Sequence, residues 1–350
     1  MRSKNKCLHI DIKVITGYPP APTPFKWEKG GQMQGQTQAL INGPIIGIIM
    51  REACRRAMYH ALTRCFDVEA EVKGTKAGGR TDWVTAADRE CQEKVVDLLR
   101  ECFPDFGIIG EEDDLNVPCT LLGEDVHFTV DPIDGTSAYT RHQSHGWGCM
   151  IALVRNGVVI AVCIGDANSG ELYYYRPDSE NNHRLVRRGE HIRDVPLVID
   201  KTRRLVTQPI LLRDLPEHHN KLTRLLIRTG PFLRENGATK VLTADGSIGL
   251  SMARMWKGEV GGCVLKGAKQ TPWDDTPVIG MSLRLGFMFF HMIVGEESFE
   301  QHKLQQFTPK PPMFEQPREH QVLVVHSSRM SELTRWARQN TVLVKTITVD

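Results

Sequence analysis

Three acidic segments follow apolar runs: Gly110-Glu111-Glu112-Asp113-Asp114, Asp131-Pro132-Ile133-Asp134-Gly135-Thr136 and Trp273-Asp274-Asp275. In the second, an apolar strand over residues 128–130 delivers Asp131, and Pro132 fixes the direction in which the chain leaves. Asp134 comes next, then Gly135, which permits an unusual backbone angle or a close approach. Asp131 and Asp134 can flank one point with the Ile133 carbonyl turned between them. Carboxylates plus a main-chain carbonyl are the hard oxygen donors that Mg²⁺ prefers. If Gly135-Thr136 opens a helical turn, its free N–H groups point at an anion beside that metal. Metal and anion cradle together describe a phosphate site. Each segment alone reads as a solvated turn; the ordered set of three is far more specific.

The elements that must position these groups follow from periodicity. Ile45, Ile48, Ile49, Ala53, Ala57, Met58, Ala61, Leu62 and Cys65 recur at helical spacing after Pro44. A second helix is expected over residues 86–102, with Thr85 as N-cap and Asp88 three residues on. Strands are expected at 106–109, 128–130, 149–154, 158–164 and 172–175, with Asn156-Gly157 as a hairpin turn. This half reads as a helix pair and an antiparallel-rich sheet. From residue 203 the pattern becomes a layered α/β alternation. Strands are expected at 205–207, 241–243, 260–264, 287–293 and 322–325. Helices are expected at 216–228, 247–256, from 274, and 330–338, and residues 305–316, with three prolines, read as a loop.

The chain has 350 residues, 44 Lys+Arg and 42 Asp+Glu, a net charge of +2 that carries no signal for a nucleic-acid polymer. No apolar run approaches the ~20 residues of a membrane span, and no apolar h-region follows the basic start. Nine Cys without a C-x-x-C disfavour a zinc ribbon or a disulfide framework, so a cytoplasmic location is expected. Domain organisation is read as a Pro/Gly/Gln-rich flexible extension over 1–42, an N-terminal α+β lobe over 43–200, and a C-terminal α/β lobe over 201–350.

The blocks Asp82-Trp83-Val84-Thr85-Ala86-Ala87-Asp88, Ile109-Gly110-Glu111-Glu112, Asp131 to Thr136, Gly246-Ser247 and Trp273-Asp274 resemble the inositol monophosphatase superfamily of Mg²⁺-dependent, lithium-sensitive phosphomonoesterases. The likeness covers roughly residues 44–340. It implies a mixed α/β fold, the five-layered αβαβα sandwich shared with fructose-1,6-bisphosphatase, with the cleft between two lobes. It implies one Mg²⁺ on Glu111, Asp131 and the Ile133 carbonyl, a second on Asp131, Asp134 and Asp274, and a third, weaker ion near Glu111. Thr136, backed by Asp88, and Glu111 would activate water; a hydroxyl is a poor base alone and needs a carboxylate partner. Gly135 and Thr136 amides would hold phosphate, and Gly246 and Ser247 would touch the alcohol. Lys73 or Lys76 matches the family lysine, and family analogy raises a homodimer. After Trp-Asp the chain departs from the family pattern with Asp275-Thr276-Pro277, and Pro277 is expected in the first helical turn, where its missing N–H is tolerated.

The substrate implied is a small phosphorylated alcohol such as an inositol monophosphate. Lys266 and Lys269, with no carboxylate after Glu259 in that stretch, leave open a sugar bisphosphate or adenosine 3′,5′-bisphosphate; otherwise they are solvated loop charges. Residues 147–153 are similar to histidinol-phosphate phosphatases but read more simply as a core strand. Arg141, His142 and His145 read as surface or packing residues. A second class, a catalytically weakened metal- or phosphate-binding regulator on the same fold, is motivated by the departure after Asp274 and by the N-terminal extension.

Overall fold

The computed structural model describes residues 41–344 except residues 68, 77–79, 268 and 296–301. Of the expected extension, residues 1–40 lie outside the described residues. Asn42 caps helix α1 (Gly43–Arg64) by accepting from the Ile45 amide at 3.1 Å, with Pro44 in the first turn. A two-stranded ribbon, β1 (Ala70–Lys76) and β2 (Arg80–Thr85), leads into α2 (Ala86–Cys102). That helix opens on the expected capping box: the Thr85 amide donates to Asp88 Oδ2 at 2.8 Å.

The first sheet comprises β3 (Gly107–Gly110), β4 (Asn116–Val117), β5 (Val126–Asp134), β6 (Gly148–Arg155), β7 (Val158–Asp166), β8 (Leu172–Tyr175), β9 (His183–Arg188) and β10 (His191–Pro196). Its order is β10-β9-β8-β7-β6-β5-β3-β4, antiparallel except where β3 lies parallel to β5. A short helix, α3 (Thr136–Thr140), follows β5. Asn156 and Gly157, both at positive φ, turn β6 into β7.

The second sheet runs β14-β11-β15-β20-β17-β18-β21. It holds β11 (Ile210–Leu212), β14 (Val241–Thr243), β15 (Gly262–Leu265), β17 (Phe287–Ile293), β18 (Lys303–Phe307), β20 (Gln321–His326) and β21 (Val342–Val344). Two small ribbons, β12 (Arg234–Glu235) with β13 (Ala238–Thr239) and β16 (Lys269–Gln270) with β19 (Gln316–Pro317), sit outside it. Helices α4 (Lys221–Thr229), α5 (Ile248–Trp256), α6 (Pro272–Arg284) and α7 (Met330–Asn340) complete the fold.

Strand alternation sorts the side chains into layers, because successive residues face opposite sides of a sheet. On β6, Cys149, Ile151 and Leu153 pack with α1 and α2, whereas Met150 and Ala152 pack with α5 and α6. On the second sheet, Leu211, Cys263, Phe289 and Val324 face that same α5/α6 layer. Ile210, Val264, Phe290 and Leu323 face away, onto α4 and α7. Helix pair, sheet, helix pair, sheet, helix pair is the five-layered αβαβα sandwich.

Several elements differ from the sequence reading. Residues 205–207 form a 3-10 turn with only Leu205 buried, and the strand begins at Ile210. The expected helix over 216–228 divides into a 3-10 turn and α4, which restarts where Asn220 accepts from the Thr223 amide. β18 occupies the start of the expected loop at 305–316. Helix α6 starts earlier than expected, so Pro277 stands in its interior rather than its first turn. Strands β1, β2, β9 and β10 have no counterpart in the sequence reading; the last two form an edge hairpin whose side chains are mostly exposed. Among the described residues no helix is long and apolar enough to cross a membrane.

The layering makes a test of packing. Met252, fully buried in the middle layer, is expected to cost about 2–5 kcal/mol when changed to Ala. Leu122→Ala, at a side chain 98% exposed, should leave the unfolding midpoint within ~0.5 kcal/mol of the parent. Chemical denaturation of the two variants checks the ranking.

Candidate metal centre

β5 breaks its register with β6 between Asp131 and Asp134: Asp131 pairs with Met150 and Asp134 with Gly148. The irregularity at Pro132-Ile133 turns both carboxylates into the same buried region, where Asp131 is 2% and Asp134 4% exposed. Helix α6 of the middle layer brings Asp274. One carboxylate oxygen from each of Asp131, Asp134 and Asp274 lies within 4.8 Å of the others, the one such acidic group among the described residues.

Three carboxylates at that separation repel one another, and burial worsens it. Burial first, then the charges of Glu111, Asp134 and Asp274, push the Asp131 carboxyl well above the usual carboxylate range. Asp131 Oδ1 is buried and meets no donor among the described residues. A hard divalent cation removes both problems: it supplies a partner for the orphaned oxygen and cancels the repulsion. The donor set therefore fits a metal of the Mg²⁺ type.

Asp134 is held differently. Its Oδ1 accepts from the Ile248 amide at 3.0 Å, and its Oδ2 from the Gly249 amide at 2.9 Å and from the Ser247 hydroxyl. These donors are the N-terminus of α5, whose unpaired N–H groups and dipole favour an anion. Burial and the Asp274 charge raise its pKa to about 6, against the opposing pull of the Ser247 and Gly249 bonds and of Arg213. Asp274 is fixed by the start of its own helix. Thr271 accepts from the Asp274 amide at 3.2 Å and its hydroxyl donates to Asp274 Oδ2 at 2.9 Å. Asp275 takes the Thr271 amide at 3.0 Å and is paired with Arg318 in the interior.

Glu111 continues β3 alongside β5, its amide donating to the Val130 carbonyl at 3.1 Å. Its carboxylate is outside the three-oxygen group yet bears on Asp131. Lys73 Nζ stands 4.0 Å from Glu111 Oε1 and 2.8 Å from Glu112 Oε2. The side chain of Lys76, the alternative, lies outside the described residues. Gln92 clamps the Glu112 backbone, donating to its carbonyl at 2.8 Å and accepting from its amide at 2.9 Å. Sequence reasoning missed that residue; a polar side chain on the α2 stripe beside Cys91 and Val95 was the available signal.

Thr136 Oγ1 lies 3.3 Å from Asp88 Oδ1 and 3.2 Å from the Ile133 carbonyl oxygen. It has one proton for two acceptors, so its lone pairs stay available to accept a proton from elsewhere. Asp88 is itself buried, its pKa raised to about 6 by burial and by Glu112 while its Thr85 and Thr136 bonds oppose the rise.

The expected contact of Ser247 with a substrate alcohol is not what the geometry offers. Ser247 is 1% exposed, its hydroxyl donates to Asp134, and its oxygen caps the Leu250 amide at 2.9 Å. Its position at the helix N-cap commits it to Asp134. Gly246 and Gly135 adjoin it at positive φ, and both back onto the Gly146 carbonyl; a Cβ on Gly135 would stand 2.4 Å from that oxygen and 2.7 Å from the Ser247 amide. Lys266 donates to the buried Asp214 at 2.7 Å, and Lys269 pairs with Glu315 at 2.5 Å. Arg141 pairs with Asp245 at 3.0 Å, and the His142 ring lies tilted beside that of the exposed Phe66, centroids 5.3 Å apart. Arg213, not singled out from sequence, donates to the Ser247 carbonyl at 2.9 Å and to Ser251 at 2.8 Å, steadying the start of α5.

A family model for the inositol monophosphatase family matches residues 47–277. Nus factor SuhB of Xylella fastidiosa is 34% identical over 94 residues, 27% of this chain and 32% of that protein. Inositol-1-monophosphatase of Bacillus subtilis is 34% identical over 93 residues, 27% of this chain and 34% of its own length. The matched stretches thus span about a third of these relatives. Among solved structures, the extragenic suppressor protein suhB of Bartonella henselae superposes with a TM-score of 0.59 at 18% identity, covering 84% of this chain and 99% of that one. An IMPase of Thermotoga maritima gives 0.56 at 20% identity, covering 83% and 95%.

Asp134 accepts on both oxygens, so Asp134→Asn turns an amide NH₂ toward N–H donors. It is expected to destabilise by about 1–3 kcal/mol, and Gly135→Ala by at least as much. Urea unfolding followed by tryptophan fluorescence reads both; a midpoint unmoved in either would contradict the packing described.

Proposed function

This chain belongs to the inositol monophosphatase family, and from that premise we propose that it is a Mg²⁺-dependent phosphomonoesterase acting on a small phosphorylated alcohol of the inositol monophosphate kind. The observation that carries the reading is the buried group of Asp131, Asp134 and Asp274 with its orphaned Asp131 oxygen, beside Gly135 and Thr136. In this reading Asp131, Asp134 and Asp274 hold one ion, and Glu111, Asp131 and the Ile133 carbonyl another. Bound there, Mg²⁺ supplies positive charge to the phosphate oxygens and makes a water more acidic. Thr136 accepts the proton of the attacking water while donating to Asp88, and Glu111 shares the task. The Gly135 and Thr136 amides orient the phosphate. Gly246 lines the alcohol side, and Ser247 acts by fixing Asp134.

Lys266 and Lys269 already have carboxylate partners, which supports a monophosphate over a sugar bisphosphate or adenosine bisphosphate. The eight described cysteines are all free thiols, in keeping with a cytoplasmic location. A second reading, a weakened metal- or phosphate-binding regulator, draws on the relatives named Nus factor SuhB and on Pro277 inside α6.

Phosphate release from inositol phosphates, histidinol phosphate, sugar bisphosphates and adenosine bisphosphate, with and without EDTA, tests the enzyme. The expected result is Mg²⁺-dependent release, most rapid on a monophosphate. Calorimetric binding of Mg²⁺ and phosphate without turnover on any of these would favour the regulator. Asp274→Asn keeps an oxygen for the Thr271 hydroxyl, so the fold should persist while kcat drops at least ~100-fold. An unchanged kcat in that variant would remove Asp274 from the metal site.

A further inference from the structure

Three alternate side chains of β5 each carry a buried polar atom that meets no partner among the described residues: His127 Nε2, Thr129 Oγ1 and Asp131 Oδ1. Alternation puts all three on one face of the strand. Their neighbours on β6 say which face. Thr129 pairs with Ala152 and Asp131 with Met150, and both of those pack in the layer of α5 and α6. The residues between, Phe128 and Val130, go to the opposite side, with α1 and α2.

A fourth such atom approaches from α6. Thr276 is fully buried, and its hydroxyl finds no partner, not even the carbonyl one turn back in its own helix. Asp274 stands at the level of Asp131. Six residues on, Gly280 lies against Val159 of β7, which is in register with Val154 of β6 and through it with His127. Helix α6 therefore runs back over the sheet from the level of Asp131 to that of His127. Thr276 and Gly280 are four apart and share the helix face turned to the sheet. Thr276 thus stands over the middle of the row.

The spacing suits water. Two strand steps of about 3.3 Å put neighbours in the row about 7 Å apart. That is too far for a direct hydrogen bond and within reach of a bridge of one or two waters. The chemistry of the ends agrees. Asp125 Oδ1 lies 3.0 Å from His127 Nδ1 and, as a carboxylate, only accepts; Nδ1 then carries the ring proton and Nε2 is an acceptor. Asp131 Oδ1 is also an acceptor, with lone pairs for an ion on one side and a hydrogen bond on the other. Two acceptor ends need donors between them, and the threonine hydroxyls, which both donate and accept, pass the bonds on.

We propose that a file of ordered waters, held by His127, Thr129 and Thr276, runs between β5 and α6 and ends on Asp131 Oδ1, which makes Thr129 a positioning residue for that carboxylate. Buried polar atoms without protein partners are where proteins hold structural water. The waters follow from the packing alone; the positioning role rests on the proposed Mg²⁺ site.

A crystal structure of the full chain should show water within ~3 Å of Thr129 Oγ1, Thr276 Oγ1 and His127 Nε2. Thr129→Val keeps the side-chain shape, removes the hydroxyl and should lower the urea midpoint. Thr276→Val should do the same, and the double variant should lose less than the sum, because both changes cut one file. Calorimetry with Mg²⁺ alone should give a Kd raised ~10-fold in Thr129→Val. Thr129→Ser, which restores the hydroxyl, should return it to the parent value. No water beside Thr129 in the parent, together with a Thr129→Val variant more stable than the parent, overturns the file, since a dry hydroxyl is better replaced by a methyl. Waters in place with Mg²⁺ affinity unmoved by Thr129→Val overturn the positioning role. A parent that binds no Mg²⁺ at all brings down the proposed function and the positioning role together, while the crystal waters and the urea midpoints still decide the file.

Discussion

The grip of α5 on Asp134 is the contact on which the rest of the site depends. Asp134 belongs to β5 of the first sheet, and the three donors belong to the first turn of a helix in the middle layer. Without those donors a buried carboxylate beside Asp131 and Asp274 would take up a proton or turn away. With them, one anion is satisfied by a helix end, and the demand for positive charge concentrates on Asp131 and Asp274. The geometry thus assigns different burdens to three chemically similar residues.

Backbone proximity makes that grip possible. Gly135, Gly146 and Gly246 meet where α3 starts, where β6 is about to begin and where α5 is about to begin. The Ser247 amide donates to the Gly146 carbonyl at 2.7 Å. Side chains at Gly135 or Gly246 would hold these segments apart, and α5 could no longer reach Asp134. Met150 and Ile164 of the first sheet and Met252 of α5 lie in one cluster, and α5 comes so close there that a Cβ on Gly249 would stand 2.5 Å from the Met150 sulfur and 3.2 Å from Asp134 Oδ2.

Much of this was legible along the chain wherever the signal is local. The Thr85–Asp88 capping box and the Asn156-Gly157 turn are set by neighbours within a few residues and stand where the sequence put them. The expected α1 stripe is only partly right: Ala53, Ala57, Met58 and Ala61 are buried, but Ile46 and Met50 take the inner face and leave Ile45, Ile48 and Leu62 exposed. Pro277 falls inside α6 for a reason that is also local: Thr271 as N-cap with Pro272 at the first position marks a helix start five residues before it. The destination of the Ser247 hydroxyl was not legible, because its partner lies 113 residues away. The β9–β10 hairpin left little trace because an exposed edge pair is held by backbone bonds and shows no apolar alternation. The acidic set itself was legible from order and from family resemblance, not from composition.

Asp88 serves two masters. Its carboxylate closes the first turn of α2 through Thr85, and the same carboxylate faces the Thr136 hydroxyl. A chain in which the start of α2 has frayed has therefore also lost the group that orients Thr136. Any chemistry relying on that hydroxyl is silenced as soon as local order fails there, before the global fold is lost. Local order at the start of α2 and the orientation of Thr136 therefore stand or fall with one side chain.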